Sequence, residues 1–269
     1  MKGLLIYDNE GAKRNKWFIS RLIESASSHA HELELVIYSD TPPSADCDFA
    51  IIRTIDPKLN KHFEERGIPT FNNAKTSKIA NDKWQTYLFA KELEIPLMHT
   101  ESFVTYESAQ ERCGSPFVLK ATDGHGGSEV FLVDNKHKCE ELLSLLGDKK
   151  LIAQAMCSEP GVDMRVYVLG GKVLAAAKRI SRTDFRSNFS LGGEAEIVSV
   201  PREVEPMIEK VCKALSPDLI GIDFIRHDGK WVLNEIEDVV GTRMLYSLTS
   251  LDPADLYIKY IIGKLTEKA

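Results

Sequence analysis

The sequence predicts an α/β architecture for the first quarter of the chain and an α+β architecture for the remainder. Three observations lead there. Up to about residue 75, short apolar runs alternate with stretches whose apolar residues recur at helical spacing, as in a small parallel sheet with crossover helices. Residues 76–115 turn charged and amphipathic. From Pro116 onward, strand-length apolar runs follow one another with turn residues between them and few helices, which favours antiparallel sheets.

Taken in order, Gly3–Tyr7 is a first short strand, and Trp17, Phe18, Leu22, Ile23 and Ala26 share a helical face. Leu33–Tyr38 and Phe49–Arg53 are strand-like, Pro57 opens a helix that runs out near Gly67, and Ile68–Phe71 is a further short strand. Thr76–Glu94 reads as one amphipathic helix anchored by Trp84, Leu88 and Leu93 and stopped by Pro96. Thr100–Val104 is a strand and Glu107–Cys113 a helix closed by Gly114. Strands are expected at Phe117–Lys120, Glu129–Val133, Leu151–Met156, Met164–Leu169 and Val173–Lys178, with a helix at Lys136–Leu146. Gly170-Gly171 marks a hairpin turn. Ile197–Val200, Leu219–Arg226 and Trp231–Glu237 complete the strands, with helices at Glu203–Leu215 and from Pro253 onward.

Composition narrows the class. With 269 residues, 43% hydrophobic and 28% charged, the chain can bury a core without disulfides or structural metals. A net charge of −6 argues against a general binder of nucleic acid or anionic membranes while allowing a local basic pocket. No run approaches the roughly 18 apolar residues of a membrane span, and the apolar N-terminal run meets Asp8 too soon for a secretion signal. Cys47, Cys113, Cys139, Cys157 and Cys212 are odd in number and scattered, so packing in a reducing cytoplasm is expected of them, not a disulfide framework or a zinc site.

Three segments carry chemistry. Phe117-Val118-Leu119-Lys120 delivers a lysine into the loop Asp123-Gly124-His125-Gly126-Gly127-Ser128, where glycines let backbone N–H groups approach an anion and the lysine adds a point charge. A plain Gly-rich hairpin with an exposed lysine has the same sequence. Asp223 lies in the apolar strand around Gly221-Ile222-Asp223-Phe224, and Glu235 and Glu237 alternate onto one face of the next. Converging there, the three carboxylates would suit a hard cation such as Mg²⁺ shared with phosphates. A strict two-residue Asp228-Gly229 hairpin would pair Asp223 with Asn234 and place Asp223 and Glu235 on opposite faces, so convergence requires an odd-length loop or a bulge. An amphipathic edge hairpin with solvated acids is the other possibility. Arg165, Arg179, Arg182 and Arg186 lie among strand and loop residues of an acidic protein, which points to an anionic ligand or to scattered surface ion pairs.

Together these pieces resemble the ATP-grasp superfamily, most closely its RimK-like carboxylate–amine ligases. The resemblance runs from about Thr76 to Gly241. It rests on Asn81-Asp82-Lys83, on Phe117–Lys120 with its loop, and on Asp163-Met164-Arg165-Val166-Tyr167-Val168-Leu169-Gly170-Gly171. Asp184-Phe185-Arg186-Ser187-Asn188 with Gly192-Gly193, Gly221-Ile222-Asp223 and Asn234-Glu235-Ile236-Glu237 complete it. It implies a pre-ATP-grasp α/β domain over 1–75, a small lid region with a connecting helix over 76–158 and a large C-terminal region over 159–269, with two sheets clasping a nucleotide.

The resemblance also implies roles. Lys83 and Lys120 would contact phosphates, with Gly124, His125, Gly126, Gly127 and Ser128 closing over them as a flap. Gln154, Ala155, Met156 and Cys157 would face adenine, and Asp163 would sit near the ribose or the substrate entrance. Arg165, Arg179 and Asn188 would face the γ-phosphate and the substrate carboxylate, and Asp223, Glu235 and Glu237 would hold one or two Mg²⁺ (or Mn²⁺) ions. Arg186 and Arg243 would bind substrate. The family usually has Asn at the position of Glu237, Glu and an aromatic residue at those of Ala155 and Met156, and Ser-Pro-Gly where this chain has Val239-Val240-Gly241-Thr242-Arg243. The expected reaction joins a small carboxylate to an amine through an acyl phosphate, with ADP and phosphate released. A small-molecule kinase on the same fold and a non-catalytic nucleotide binder are the alternatives. Partners would be the two small substrates, with no nucleic acid or membrane; ligases of this kind often form homo-oligomers. Met244, Leu245, Tyr246 and Leu248 would be core or interface.

Overall fold

The computed structural model describes residues 1–124, 126–187 and 194–267. The first sheet is parallel, in the order β2-β1-β3-β4, from β1 (Lys2–Asp8), β2 (Glu32–Tyr38), β3 (Phe49–Ile52) and β4 (Thr70–Phe71). Helices α1 (Asn9–Arg14), α2 (Lys16–Ser28) and α3 (Pro57–Glu64) connect its strands. Asp8 caps α1 by accepting the Gly11 N–H at 2.6 Å, and Asp56 caps α3 ahead of Pro57. With six residues, α1 is too short to announce itself by periodicity and was not expected.

The single helix expected over Thr76–Glu94 is two: α4 (Ala74–Ala80) and α5 (Lys83–Glu92). Asp82 ends the run by capping α5, its side chain accepting the Gln85 N–H at 2.9 Å. The break changes which face is buried. Lys83, Thr86, Phe89 and Ala90 face inward, while Leu88 is exposed and Trp84 stacks on Tyr87. It also leaves Lys83 at the first position of a helix, buried rather than on a surface face.

The second sheet is antiparallel, in the order β5-β8-β6-β7, from β5 (Thr100–Ser102), β6 (Phe117–Ala121), β7 (Val130–Val133) and β8 (Leu151–Ala155). Phe117, Leu119, Ala121 and Ala153 pack one face against α6 (Tyr106–Cys113) and α7 (Lys136–Leu146). Val118 and Lys120, alternating with them, point the other way.

The third sheet is antiparallel, in the order β11-β10-β9-β12-β13, from β9 (Glu159–Leu169), β10 (Lys172–Ile180), β11 (Glu194–Val198), β12 (Leu219–His227) and β13 (Lys230–Glu237). Gly170 and Gly171, with φ of 57° and 78°, turn β9 into β10 as the sequence predicts. Met164, Val166, Val168, Ile220, Ile222 and Ile236 bury one face under α4, α5 and α8 (Glu205–Leu215). On the other face, Tyr167, Leu169, Ala177 and Leu219 share a core with Leu5, Tyr7, Phe18 and Leu22 of the first sheet and its helix, and with α10 (Pro253–Thr266). A short helix α9 (Arg243–Leu248), again too brief for periodicity to reveal, joins that core through Met244 and Leu245.

Asn72 fastens the first sheet to the third. Its side-chain NH₂ donates to the Leu219 carbonyl at 2.8 Å and to the Asp238 carboxylate, and its oxygen accepts the N–H groups of Asp218 and Leu219. All of this is buried, so Asn72→Ala would strand several polar groups without water. A loss of about 2–4 kcal/mol is expected, read as a lower urea midpoint at unchanged slope.

Candidate active site

The second and third sheets enclose a cleft of about 600 Å³, with the C-terminal ends of β1 and β3 closing one end. The third sheet contributes the half of its face that the N-terminal domain does not cover. Alternation along β9 carries that face from buried Leu169 and Tyr167 out to Arg165 and Asp163. Arg165 pairs across the sheet with Asp223 of β12, which pairs in turn with Glu235 of β13.

That last pairing depends on a bulge. The β12–β13 turn is the two-residue Asp228-Gly229 hairpin, with φ of 48° and 71°, and His227 opposite Lys230. Register runs regularly to Phe224 opposite Leu233, then shifts so that Asp223 lies opposite Glu235. Asn234 is the extra residue. Before it Trp231 and Leu233 face the core, and after it Ile236 does, which turns Glu235 and Glu237 toward the cleft.

The charged groups form a closed lattice. Arg165 grips Asp223 bidentately at 2.7 and 2.6 Å and reaches Glu237 at 2.6 Å. Arg179 of β10 grips Asp163 at 2.6 and 2.7 Å and also donates to Asp223 at 2.9 Å. Burial works against the charge on Asp223, but Arg165 and then Arg179 outweigh it and hold its carboxyl near 2. Burial raises Glu237 to about 7 against the pull of Arg165, and raises Asp163 against that of Arg179. Both lysines are buried. Lys83 pairs with Glu235 at 2.8 Å and donates to the Gly124 carbonyl, and Lys120 donates to the Asn234 side chain at 3.1 Å. Burial lowers Lys120 to about 8, opposed by Glu235 and reinforced by Lys83.

Most of the residues expected from the sequence therefore meet in one place. Asp223, Glu235 and Glu237 share a face, as a cation site needs, though among the described residues no three such side chains close up as a ligand set. Asp223 and Glu237 are turned onto arginines and Glu235 onto Lys83. As oxygen donors they fit a hard divalent cation by type. Gln154, Ala155, Met156 and Cys157 line the cleft with Val118 and Ile225. The Gln154 side-chain NH₂ donates one hydrogen bond to the Thr100 hydroxyl at 3.1 Å, and the Ala155 N–H bonds the His99 carbonyl, so the latter donor is not available to a base. Gly126 and Gly127, at φ of 66° and 75°, line the rim, whereas Gly124 is buried beneath it and Ser128 is exposed. Arg186, expected on substrate, chelates Asp184 and donates to the Gly127 carbonyl at 2.8 Å, tying the loop after β10 to the Gly-rich loop. Arg243 lines the cleft from α9. His125, Asn188 and Gly192-Gly193 lie outside the described residues.

Sequence reasoning missed the N-terminal contribution: Asp8, Arg14, Asn15 and Thr54 line the cleft as well. A signal for it exists. Asp8 ends β1 and Thr54 follows β3, neighbouring parallel strands from which the chain leaves toward opposite sides, and ligands of open α/β sheets sit at that switch point.

With this geometry in view, comparison with known proteins is decisive for the class. The RimK-like ATP-grasp domain matches residues 80–261, and the chain belongs to this family of ATP-grasp proteins. It is 34% identical over 202 residues to a Pasteurella multocida protein named "Probable alpha-L-glutamate ligase", covering 72% of this chain and 64% of that one, less than two thirds of its length. An uncharacterised Mycoplasma genitalium protein is 28% identical over 98% of this chain and 93% of its own. Among solved structures, D-alanine–D-alanine ligase from Bacillus anthracis complexed with ATP aligns over 100% of this chain and 98% of its own, with a TM-score of 0.76 at 16% identity. A RimK domain ATP-grasp protein from Sphaerobacter thermophilus aligns over 97% and 99%, with a TM-score of 0.75 at 20% identity. At these identities the structural likeness speaks for the fold.

The lowered Lys120 pKa has a measurable consequence. Lys120 is charged below about 8 and loses its proton above. On the phosphate contact that the family resemblance implies for Lys120, affinity for a non-hydrolysable ATP analogue should fall as pH rises from 7.5 to 9.5, by up to about tenfold for one lost ionic contact. Lys120→Arg, which stays protonated, should flatten that fall in calorimetric titrations.

Proposed function

We propose that the protein is an ATP-dependent carboxylate–amine ligase using ATP with one or two Mg²⁺ ions, its substrates a small carboxylate and an amine drawn from amino acids or peptides. The supporting observation is the lattice of Arg165, Arg179, Asp223 and Glu237 beside Lys83–Glu235, set in a cleft between two sheets. The name of the Pasteurella relative supports an acidic amino acid as one of the two substrates.

Bound Mg-ATP supplies the phosphoryl group that turns a carboxylate into an acyl phosphate. The chain's own residues do the rest. Lys83 and Lys120 exchange Gly124, Glu235 and Asn234 for phosphate oxygens. Asp223, Glu235 and Glu237 would hold a divalent cation, which would screen phosphate charge, and Arg165 and Arg179 would face the transferring group and the substrate carboxylate. Charge on the phosphoryl group is then neutralised by cationic side chains gathered on one side of the cleft, the main requirement of phosphoryl transfer. The Gly126-Gly127 loop, tied to Arg186, excludes water that would hydrolyse the activated acyl group. A protein nucleophile is not required. The acidic dyads are internally paired and the amine substrate supplies the attack.

Glu235→Ala tests the assignment. It removes a proposed metal ligand and the partner of Lys83, and should lower ATP-dependent condensation at least 100-fold while circular dichroism stays unchanged. Phosphate release should require a carboxylate and an amine together, with a product of their summed mass less water. Full turnover in Glu235→Ala, or stable phosphate transfer to a hydroxyl, would overturn the proposal.

A further inference from the structure

Glu237 is the last residue of β13, so the sheet holds its backbone on one side only. On the other side run residues 238–242, which have neither helix nor strand bonds of their own and lead into α9. Buried polar groups in such a segment need partners from outside it. The Asp238 carboxylate accepts from the side chains of Asn72 and, at 3.3 Å, Asn81. The Val240 carbonyl accepts from the Arg53 guanidinium at 2.8 Å, and the Gly241 carbonyl from the Tyr167 hydroxyl at 3.1 Å. The Val240 side chain lies over Gly221, where a Cβ would meet it at 2.7 Å. Gly221 is the residue paired with Glu237 across the ladder.

Arg53 is the member of this set that fold stability does not explain. It is 5% exposed and lies over the Phe18 ring at 5.5 Å, with no ion pair among the described residues. Asp238 reaches it only through space. A buried guanidinium without a carboxylate on it costs several kcal/mol. A carbonyl can be held without such a charge, as the neutral hydroxyl of Tyr167 holds Gly241. What the charge adds is a stronger bond, about twice a neutral one. Arg53 directly follows β3, so this bond lets the N-terminal domain grip the chain just past Glu237.

We infer that Arg53 is a positioning residue: by holding the Val240 carbonyl it fixes the backbone that leaves β13, and with it the aim of the Glu237 carboxylate into the cleft. This rests on the ligase function proposed above and its cation site. Arg53 acts there as an outer partner, through the chain and not on the reacting atoms. Arg165 sets the carboxylate end of Glu237, at 2.6 Å, and Arg53 sets its backbone end.

The test titrates Mn²⁺ into the full chain saturated with a non-hydrolysable ATP analogue and reads free Mn²⁺ by electron paramagnetic resonance. Arg53→Met keeps the aliphatic stem over Phe18 and removes the charge and the bond. Its affinity for Mn²⁺ should fall about tenfold, the loss that follows removal of an outer partner of a metal ligand. Affinity for the analogue without metal should move less than about threefold, since that end of the cleft shares no partner with Arg53. In a Glu237→Gln background the same substitution should cost less than about twofold in Mn²⁺ affinity, because the two residues act on one ligand. Tyr167→Phe frees the Gly241 carbonyl and should weaken Mn²⁺ binding in the same direction, which keeps the test open if Arg53→Met does not fold. Unchanged Mn²⁺ affinity in Arg53→Met, or losses in Arg53→Met and Glu237→Gln that simply add, would overturn the positioning role. Binding is read without turnover, so this role and the ligase function fail separately. Arg53-dependent Mn²⁺ binding in a chain that condenses nothing keeps the role and rejects the ligase. Condensation with Mn²⁺ binding indifferent to Arg53 does the reverse.

Discussion

Two guanidinium groups and three carboxylates share one face of the five-stranded sheet, and the rest of the site depends on their neutralising one another. Arg179, Asp223, Asp163 and Arg165 are all at most 8% exposed. An isolated charge at such depth costs several kcal/mol, and only paired, multiply hydrogen-bonded groups remain ionised there. The lattice supplies this: Asp223 accepts from both arginines, and each arginine also reaches a second carboxylate. Two positive charges against three carboxylates, of which burial raises Glu237 to about 7, leave at most a single negative charge. On the proposed function, a polyanion arriving with a divalent cation would replace one set of counter-charges with another and leave little charge stranded at any stage.

The lattice in turn depends on how the sheet is covered. Its far face is buried under α4, α5 and α8, and the inner part of its near face under the N-terminal domain and α10. The strip left over holds the charges. Tyr167 marks the boundary: its ring is in the shared core, and its hydroxyl donates to the Gly241 carbonyl at 3.1 Å, at the edge of the cleft. Core and site are consecutive stretches of the same strands, so packing of the N-terminal domain fixes the position of the charged strip directly.

Much of this was legible in the sequence. Period-two alternation separates Met164, Val166 and Val168 from Asp163, Arg165 and Tyr167 without reference to coordinates, and the need for either an odd-length loop or a bulge before Glu235 followed from counting residues across the Asp228-Gly229 turn. What stayed hidden has physical reasons. The break at Asn81-Asp82 falls inside a polar, helix-compatible stretch, so only the cap geometry reveals it. Helices α1 and α9 are six residues each, less than two turns, which gives periodicity nothing to repeat. Arg186 looks like a ligand for anions until its neighbour Asp184 is seen to chelate it. The contribution of Asp8, Arg14 and Thr54 is long-range, and only strand order brings it to the cleft.

The bulge at Asn234 divides the hairpin into two parts with different tolerance of change in length. Between it and the turn, β12 and β13 can lengthen or shorten in matched pairs, or exchange one tight turn for another of equal span, and the acids keep their facing. A single residue gained or lost on one strand alone is another matter, because the bulge already holds the one surplus residue that the pairing accommodates. Related chains that diverge here should therefore conserve the parity of the segment from Asp223 to Glu235 more strictly than its composition. Insertions should fall between the bulge and the turn in even steps, one residue on each strand, the spacing itself being the inherited trait.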